Sequence, residues 1–162
     1  MDIEEIRKIY KSLEQLVLIL MLIALPLFGM VYLYYNSGNL DWELPEIPDF
    51  VNGMLAGGGT ALLAIQYFLF HKKLKVSFHY EELLKKVKVY SNATKERFFL
   101  LFLSSLLATI GLLFFGNPYF VILFAVTLIF FSLAKPTPDR MGRLMKLKKK
   151  ERDVILAASR PE

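Results

Sequence analysis

Three stretches of the chain carry no ionisable acid or base: 25 residues from Leu16 to Leu40, 21 from Phe50 to Phe70 and 37 from Phe98 to Ala134. A helix needs roughly 20 apolar residues to cross a hydrocarbon core about 30 Å thick. The first two stretches therefore read as one crossing each. The third is too long for one and is interrupted by Gly116-Asn117-Pro118, a turn-forming triplet whose proline suits the first position of a following helix. The pattern predicts four spans, at about 16–35, 50–71, 97–115 and 118–134. The last two are short and cross only with little tilt or in a thin bilayer. The alternative of a buried soluble hairpin is opposed by Phe98 to Phe115, whose polar positions reduce to Ser104, Ser105 and Thr109, leaving nearly every face apolar.

The flanks of these spans have patterns of their own. Ile3, Ile6, Tyr10, Leu13 and Val17 repeat at helical spacing, and Asp2 with Glu5 resembles a capping box. Residues 1–15 thus form an amphipathic helix leading into span one, which lies on the bilayer or packs on another helix. An acidic flank, a long apolar run and the lack of a cleavage site argue against a signal peptide. Between spans two and three, Lys72 to Tyr80 alternates partly at the strand period, whereas Glu81 to Val89 favours a helix, with Glu81 four residues before Lys85. A helical hairpin extending spans two and three is favoured over a strand hairpin. After span four, Pro136 stops the helix, Thr137 caps the next, and Pro138 and Asp139 suit its first turn. One helix over about 138–158 follows, with Met141, Leu144, Met145, Leu147, Val154 and Ile155 set among basic residues.

Charge orients this arrangement. Three bases and four acids precede span one; the loop from Asn36 to Asp49 holds the acids Asp41, Glu43, Glu46 and Asp49 and no base; the loop from His71 to Arg97 has eight bases and the tail nine. With four spans, all 20 Lys and Arg fall on one side, as the positive-inside bias requires, so both termini are expected in the cytoplasm. A single third crossing would divide the bases between the two sides. Tyr32, Tyr34, Tyr35, Trp42 and Tyr119 then collect at the outer interface. The Asn92-Ala93-Thr94 sequon falls on the cytoplasmic side and reads as chance. Overall the chain is 55% apolar yet +5 in formal charge, and it has no cysteine, which excludes disulfides, thiol chemistry and thiolate-held metals.

Inside the spans the sequence offers packing rather than chemistry. Gly53, Gly57 and Ala61 form one small-residue ridge on span two and Ala56, Thr60 and Ala64 another, while Ser104 with Ala108, and Ser105 with Thr109, supply a complementary face on span three. Span two is therefore expected at the centre of the bundle, and Pro26, with Gly29, is expected to kink span one. The sharper reading of Gly57-Gly58-Gly59 is a broken helix that binds an ion or substrate with freed backbone groups. Gly53, Gly58 and Thr60 also match a phosphate-binding loop in register, but Gly59 stands where its lysine must be. No span interior holds an ionisable residue, which argues against proton relays and embedded catalysis. Gln66 is the deepest large polar group and is expected to hydrogen-bond across helices. With Thr60, Ser105 and Thr109 it offers the only candidate polar path.

Outside the spans, His71 and His79 are too few for a metal site in one chain. The outer acids could at most bind calcium weakly or a basic partner. No nucleophile pairs with a base, so neither catalytic nor metal- or cofactor-binding residues are expected. Arg140, Arg143, Lys146, Lys148, Lys149 and Lys150 are expected to meet anionic headgroups or a partner at the cytoplasmic face. Nucleic acid is not an expected partner, since no aromatics interleave with the bases. The expected fold class is thus an all-α integral membrane protein, a four-transmembrane-helix bundle with a cytoplasmic helical hairpin between spans two and three and a basic amphipathic C-terminal helix. The expected function is that of a non-catalytic accessory, scaffold or assembly subunit of a larger complex in a bacterial inner membrane, bound to other membrane subunits or to itself. The alternative is a small homo-oligomeric channel or transporter. A membrane-bound enzyme drawing on His71, His79 or Asp139 is a weaker rival.

Overall fold

The computed structural model describes residues 3–37 and 45–160; Asp2 of the expected capping box, and Asp41, Trp42 and Glu43 of the acidic loop, lie outside them. Six helices follow in order: α1 (Ile3–Ser37), α2 (Asp49–Ser77), α3 (Leu83–Phe115), α4 (Pro118–Ala134), α5 (Pro138–Leu144) and α6 (Lys149–Ser159). Helix accounts for 87% of the described residues and none of them lies in a strand, so the alternation at 72–80 does not produce a strand hairpin. Helix α2 instead continues to Ser77, and three turn hydrogen bonds, from Phe78, His79 and Tyr80 back to Lys75, Val76 and Ser77, end it.

Three helices, α1, α2 and α3, are long and apolar enough to cross a membrane, and a fourth span is reached if α4 is taken with α5, which follows after a bend of 86°. The chain thus has the makings of a multi-pass membrane protein. At a rise of about 1.5 Å per residue, the 35, 29 and 33 residues of α1, α2 and α3 exceed a hydrocarbon core about 30 Å thick by a wide margin. Each of these helices accordingly contributes to two compact units. One consists of Met1–Leu18, Tyr67–Phe98 and Ala134–Glu162, the other of Ile19–Gln66 and Phe99–Leu133. Both units are discontinuous in sequence.

The first unit has its own apolar core. The α1 seam supplies Ile6, Tyr10 and Leu13, α2 supplies Phe70 and Leu74, α3 supplies Val87, Tyr90 and Ala93, and the C-terminal helices supply Met141, Met145, Leu147, Ile155 and Ala158, all at most 5% exposed. Burying side chains of this size contributes roughly 1.5–3 kcal/mol each, which explains why charged segments with short apolar stripes fold here. The tail differs from the single helix expected. Lys146 takes a left-handed conformation (φ 52°), and the amides of Lys146 and Leu147 donate to the carbonyls of Arg143 and Gly142, a Schellman termination of α5. The break turns Leu147 into the core, and Lys148 and Glu151 then open α6, the Glu151 carboxylate accepting from the Lys148 amide at 3.4 Å. At the start of α5 the expected cap is present: Thr137 Oγ1 accepts from the Arg140 amide at 3.2 Å, with Pro138 in the first turn.

The second unit is built around α3. Leu101, Ser104, Ala108 and Leu112 are wholly buried, and 44% of the most apolar stretch of α3 is buried against 22% for α2. The central helix is therefore α3, not α2 as the glycines suggest. The reason is the number of neighbours reached: Gly111 of α3 seats the Phe120 ring of α4, and Ser104 of α3 bonds to Gly59 of α2. Phe28 of α1 stacks on Phe124 of α4 with ring centroids 3.8 Å apart. The turn between α3 and α4 falls on the expected triplet. Gly116 is left-handed (φ 61°), and Asn117 caps α4 through Oδ1, which accepts from the Tyr119 amide at 3.0 Å. Helix α1 runs unbroken through Pro26.

Candidate functional site

Three groups of side chains have the position to do more than hold the fold. The first is the small-residue surface of α2, which the structure divides by direction. Gly59 faces inward: a Cβ there would lie 2.6 Å from Leu123 of α4, and its carbonyl accepts from Ser104 Oγ at 3.1 Å. Ser104 Oγ also lies 3.4 Å from Thr127 Oγ1, so a buried hydroxyl joins α2, α3 and α4. Ala108 is wholly buried on the same helix. Gly53 and Gly57 point elsewhere. A Cβ at either would meet nothing within 4 Å, and both residues are exposed together with Ala61 and Ala64. Ala56 is half-buried, and Thr60 is exposed but bonded, to the Ala56 carbonyl at 2.8 Å and the Tyr119 hydroxyl at 2.6 Å.

The second group is the candidate polar path. Ser105 Oγ donates to the Phe102 carbonyl at 2.6 Å and Thr109 Oγ1 to the Ser105 carbonyl at 2.8 Å, both within α3. Gln66, wholly buried, donates from Nε2 to the Leu63 carbonyl at 2.9 Å. Ser105 and Thr109 thus bond within α3, whereas Thr60 reaches from α2 to the Tyr119 hydroxyl of α4.

The third group is the charge of the first unit. Arg97, only 8% exposed, sets its guanidinium 4.6 Å from the centre of the Phe70 ring, and Phe70 meets Tyr90 edge-on at 6.0 Å. Tyr10 donates to the Pro136 carbonyl at 3.4 Å, tying α1 to the link between α4 and α5. Burial, reinforced by Glu14, pushes the Tyr10 phenol up to about 12, and burial likewise raises Tyr90. Lys73 pairs with Glu96, and Lys86 with Glu151 at 3.3 Å in a largely buried bridge. The six tail bases divide between structure and surface. Arg140 donates to the Lys135 carbonyl at 3.3 Å and Lys146 lies 5.1 Å over the Phe78 ring, while Arg143, Lys148, Lys149 and Lys150 are exposed. The apolar side of the tail, expected on headgroups, is spent in the core: Met141 and Met145 are at most 2% exposed. His71 turns Nδ1 to the Tyr67 carbonyl of its own helix at 3.0 Å.

Two features escape sequence reasoning. The burial of Arg97 is one, because an arginine at the edge of a span reads as an interfacial base. The other is a cavity of about 350 Å³ between α1 and α3, lined by Lys8, Ser12, Lys88, Ser91, Asn92 and Lys95. Its signal is present in the spacing of Lys88, Ser91, Asn92 and Lys95, which puts all four on one helical face. What the chain does not carry is the register between α1 and α3 that adds Lys8 and Ser12. Known protein families, curated proteins and solved structures offer no match to this chain.

Proposed function

We propose that the protein is a non-catalytic multi-pass membrane protein that serves as an accessory or assembly subunit of a larger membrane complex. In this reading four spans cross the bilayer, with α4 as the fourth, and both termini and the first unit lie on the cytoplasmic side, where all 20 bases are collected. The observation that carries the proposal is the open ridge of Gly53, Gly57 and Ala61. Small residues let helix backbones approach closely, a main source of association in lipid, where hydrophobicity supplies little. Among the described residues nothing lies within 4 Å of a Cβ at Gly53 or Gly57, and Ala61 is exposed, which leaves the ridge open to a helix from outside. Lipid surrounds the remaining exterior, where Leu22, Leu33, Phe50, Ile122 and Ile129 are more than half exposed.

Extraction in mild detergent followed by native mass measurement tests this reading. The expected result is a defined heteromeric complex in the wild type that Gly57→Leu dissolves. Because a Cβ at Gly57 meets nothing within 4 Å among the described residues, that variant is expected to keep its own fold, and Leu is the better helix former by up to about 1 kcal/mol. A homo-oligomer that passes ions or solutes in liposomes, or a complex indifferent to Gly57→Leu, would overturn it. Accessibility of tags at both termini to protease from outside intact cells would overturn the orientation separately.

A further inference from the structure

We propose that the cavity between α1 and α3 is a binding site for a phosphomonoester. Lys8, Lys88 and Lys95 line one cavity of about 350 Å³ together with Ile9, Ser12, Ser91 and Asn92. No carboxylate lines it. Some cations of the same unit are matched within the chain, Lys73 to Glu96, Lys86 to Glu151, and Lys85 and Lys146 to the faces of Tyr80 and Phe78, while Arg143, Lys149 and Lys150 stand in solvent. Among the described residues, Lys8, Lys88 and Lys95 have no such match. Three lysines and no carboxylate give the lining a net positive charge that an anion from outside the chain would complement.

The chemistry of the lining selects the ligand. A phosphomonoester carries close to two negative charges and three strong acceptor oxygens. Lysine ammoniums are donors only and bind phosphate as point charges, and serine hydroxyls and an asparagine amide add donors of fixed position. The volume exceeds that of bare phosphate and falls at the lower end of small-ligand sites, about 300–1,000 Å³. A second cavity of about 210 Å³, lined by Glu4, Arg7, Lys8 and Lys11, shares Lys8 with it. Ser12 lies one turn before Leu16 and Lys95 three residues before Phe98, where the two apolar runs begin. A phosphomonoester held on a lipid and one free in solution would both reach this level. The site does not depend on the assembly reading, since none of its residues belongs to the Gly53 ridge.

The test uses the full-length protein in nanodiscs. Binding of glycerol 3-phosphate is measured by calorimetry in phosphatidylcholine discs, and retention of phosphatidic acid over phosphatidylcholine is measured by native mass spectrometry. The variants are Lys88→Gln/Lys95→Gln, the charge-retaining Lys88→Arg/Lys95→Arg, and Lys85→Gln outside the cavity. Removing two amines is expected to weaken binding about tenfold or more, with the arginine pair retaining most of it and Lys85→Gln matching wild type. All these side chains are on the outer surface of helices, and unchanged helicity and melting confirm that the fold is kept. Retention of phosphatidic acid alone identifies a lipid site, and saturable glycerol 3-phosphate binding identifies a soluble ligand. The proposal is overturned if neither probe binds, or if Lys85→Gln weakens binding as much as the cavity pair, which would mark a diffuse surface charge.

Discussion

Glycine has opposite meanings at different positions of this chain, and space decides which. At Gly111 a Cβ would sit 2.3–2.5 Å from three atoms of the Phe120 ring, itself wholly buried. Gly111→Ala should therefore cost about 1–3 kcal/mol, the usual range for overpacking, measured as a lower resistance to denaturant in detergent. Gly29→Ala is its control: a Cβ there meets nothing within 4 Å, and helix propensity favours alanine by up to about 1 kcal/mol. Lys146 inverts the case, since a side chain occupies a left-handed position (φ 52°). Lys146→Gly should raise the melting temperature of the first unit, by the equivalent of about 1 kcal/mol, less what is lost from the contact with Phe78. A fall in melting temperature would show that the contact outweighs the strain.

At the scale of elements, helix type and extent follow closely from local pattern. The apolar runs, the Gly116-Asn117-Pro118 turn and the Thr137 cap are visible because each is a short-range effect. The rotational setting of a helix is not. Small residues occur at positions 53, 56 to 61 and 64 of α2, so they cover every side and no period selects a packing face. Contact with Leu123 and Ser104 makes Gly59 the inner face and leaves Gly53 and Gly57 outside. The C-terminal helix was legible as basic and amphipathic but not as two helices, because a lysine in the left-handed position sends no warning of a break. Its apolar side enters a protein core through Met141, Met145, Leu147 and Ile155.

Whole units set the response to pH. Tyr10 and Tyr90 are held neutral in the core of the first unit, with Tyr10 pushed from the ordinary 10 up to about 12. A phenol whose value is raised on folding contributes stability that is complete below pH 10 and is lost as pH climbs through the folded value. The first unit should therefore lose stability between pH 10 and about 12, followed by helicity at 222 nm alongside tyrosinate absorbance. Tyr10→Phe should flatten that loss, while giving up the hydrogen bond to Pro136 at neutral pH. An unchanged alkaline profile in Tyr10→Phe would show that Tyr10 is not held neutral by the fold.

Hydropathy is a one-dimensional property, and the chain alone is enough to place its long helices, to mark three or four of them as able to cross a membrane, and to gather its bases into particular segments. Burial of Arg97, the inward choice of Gly59 over Gly57, and the meeting of Lys8 with Lys88 and Lys95 depend on residues far apart in sequence. Those pairings are chosen by the fit of one helix surface against another, a long-range term that neither composition nor period encodes. The candidate surfaces for partner and ligand both arise at that level, one as a ridge the fold leaves open and the other as a cavity the fold lines with charge.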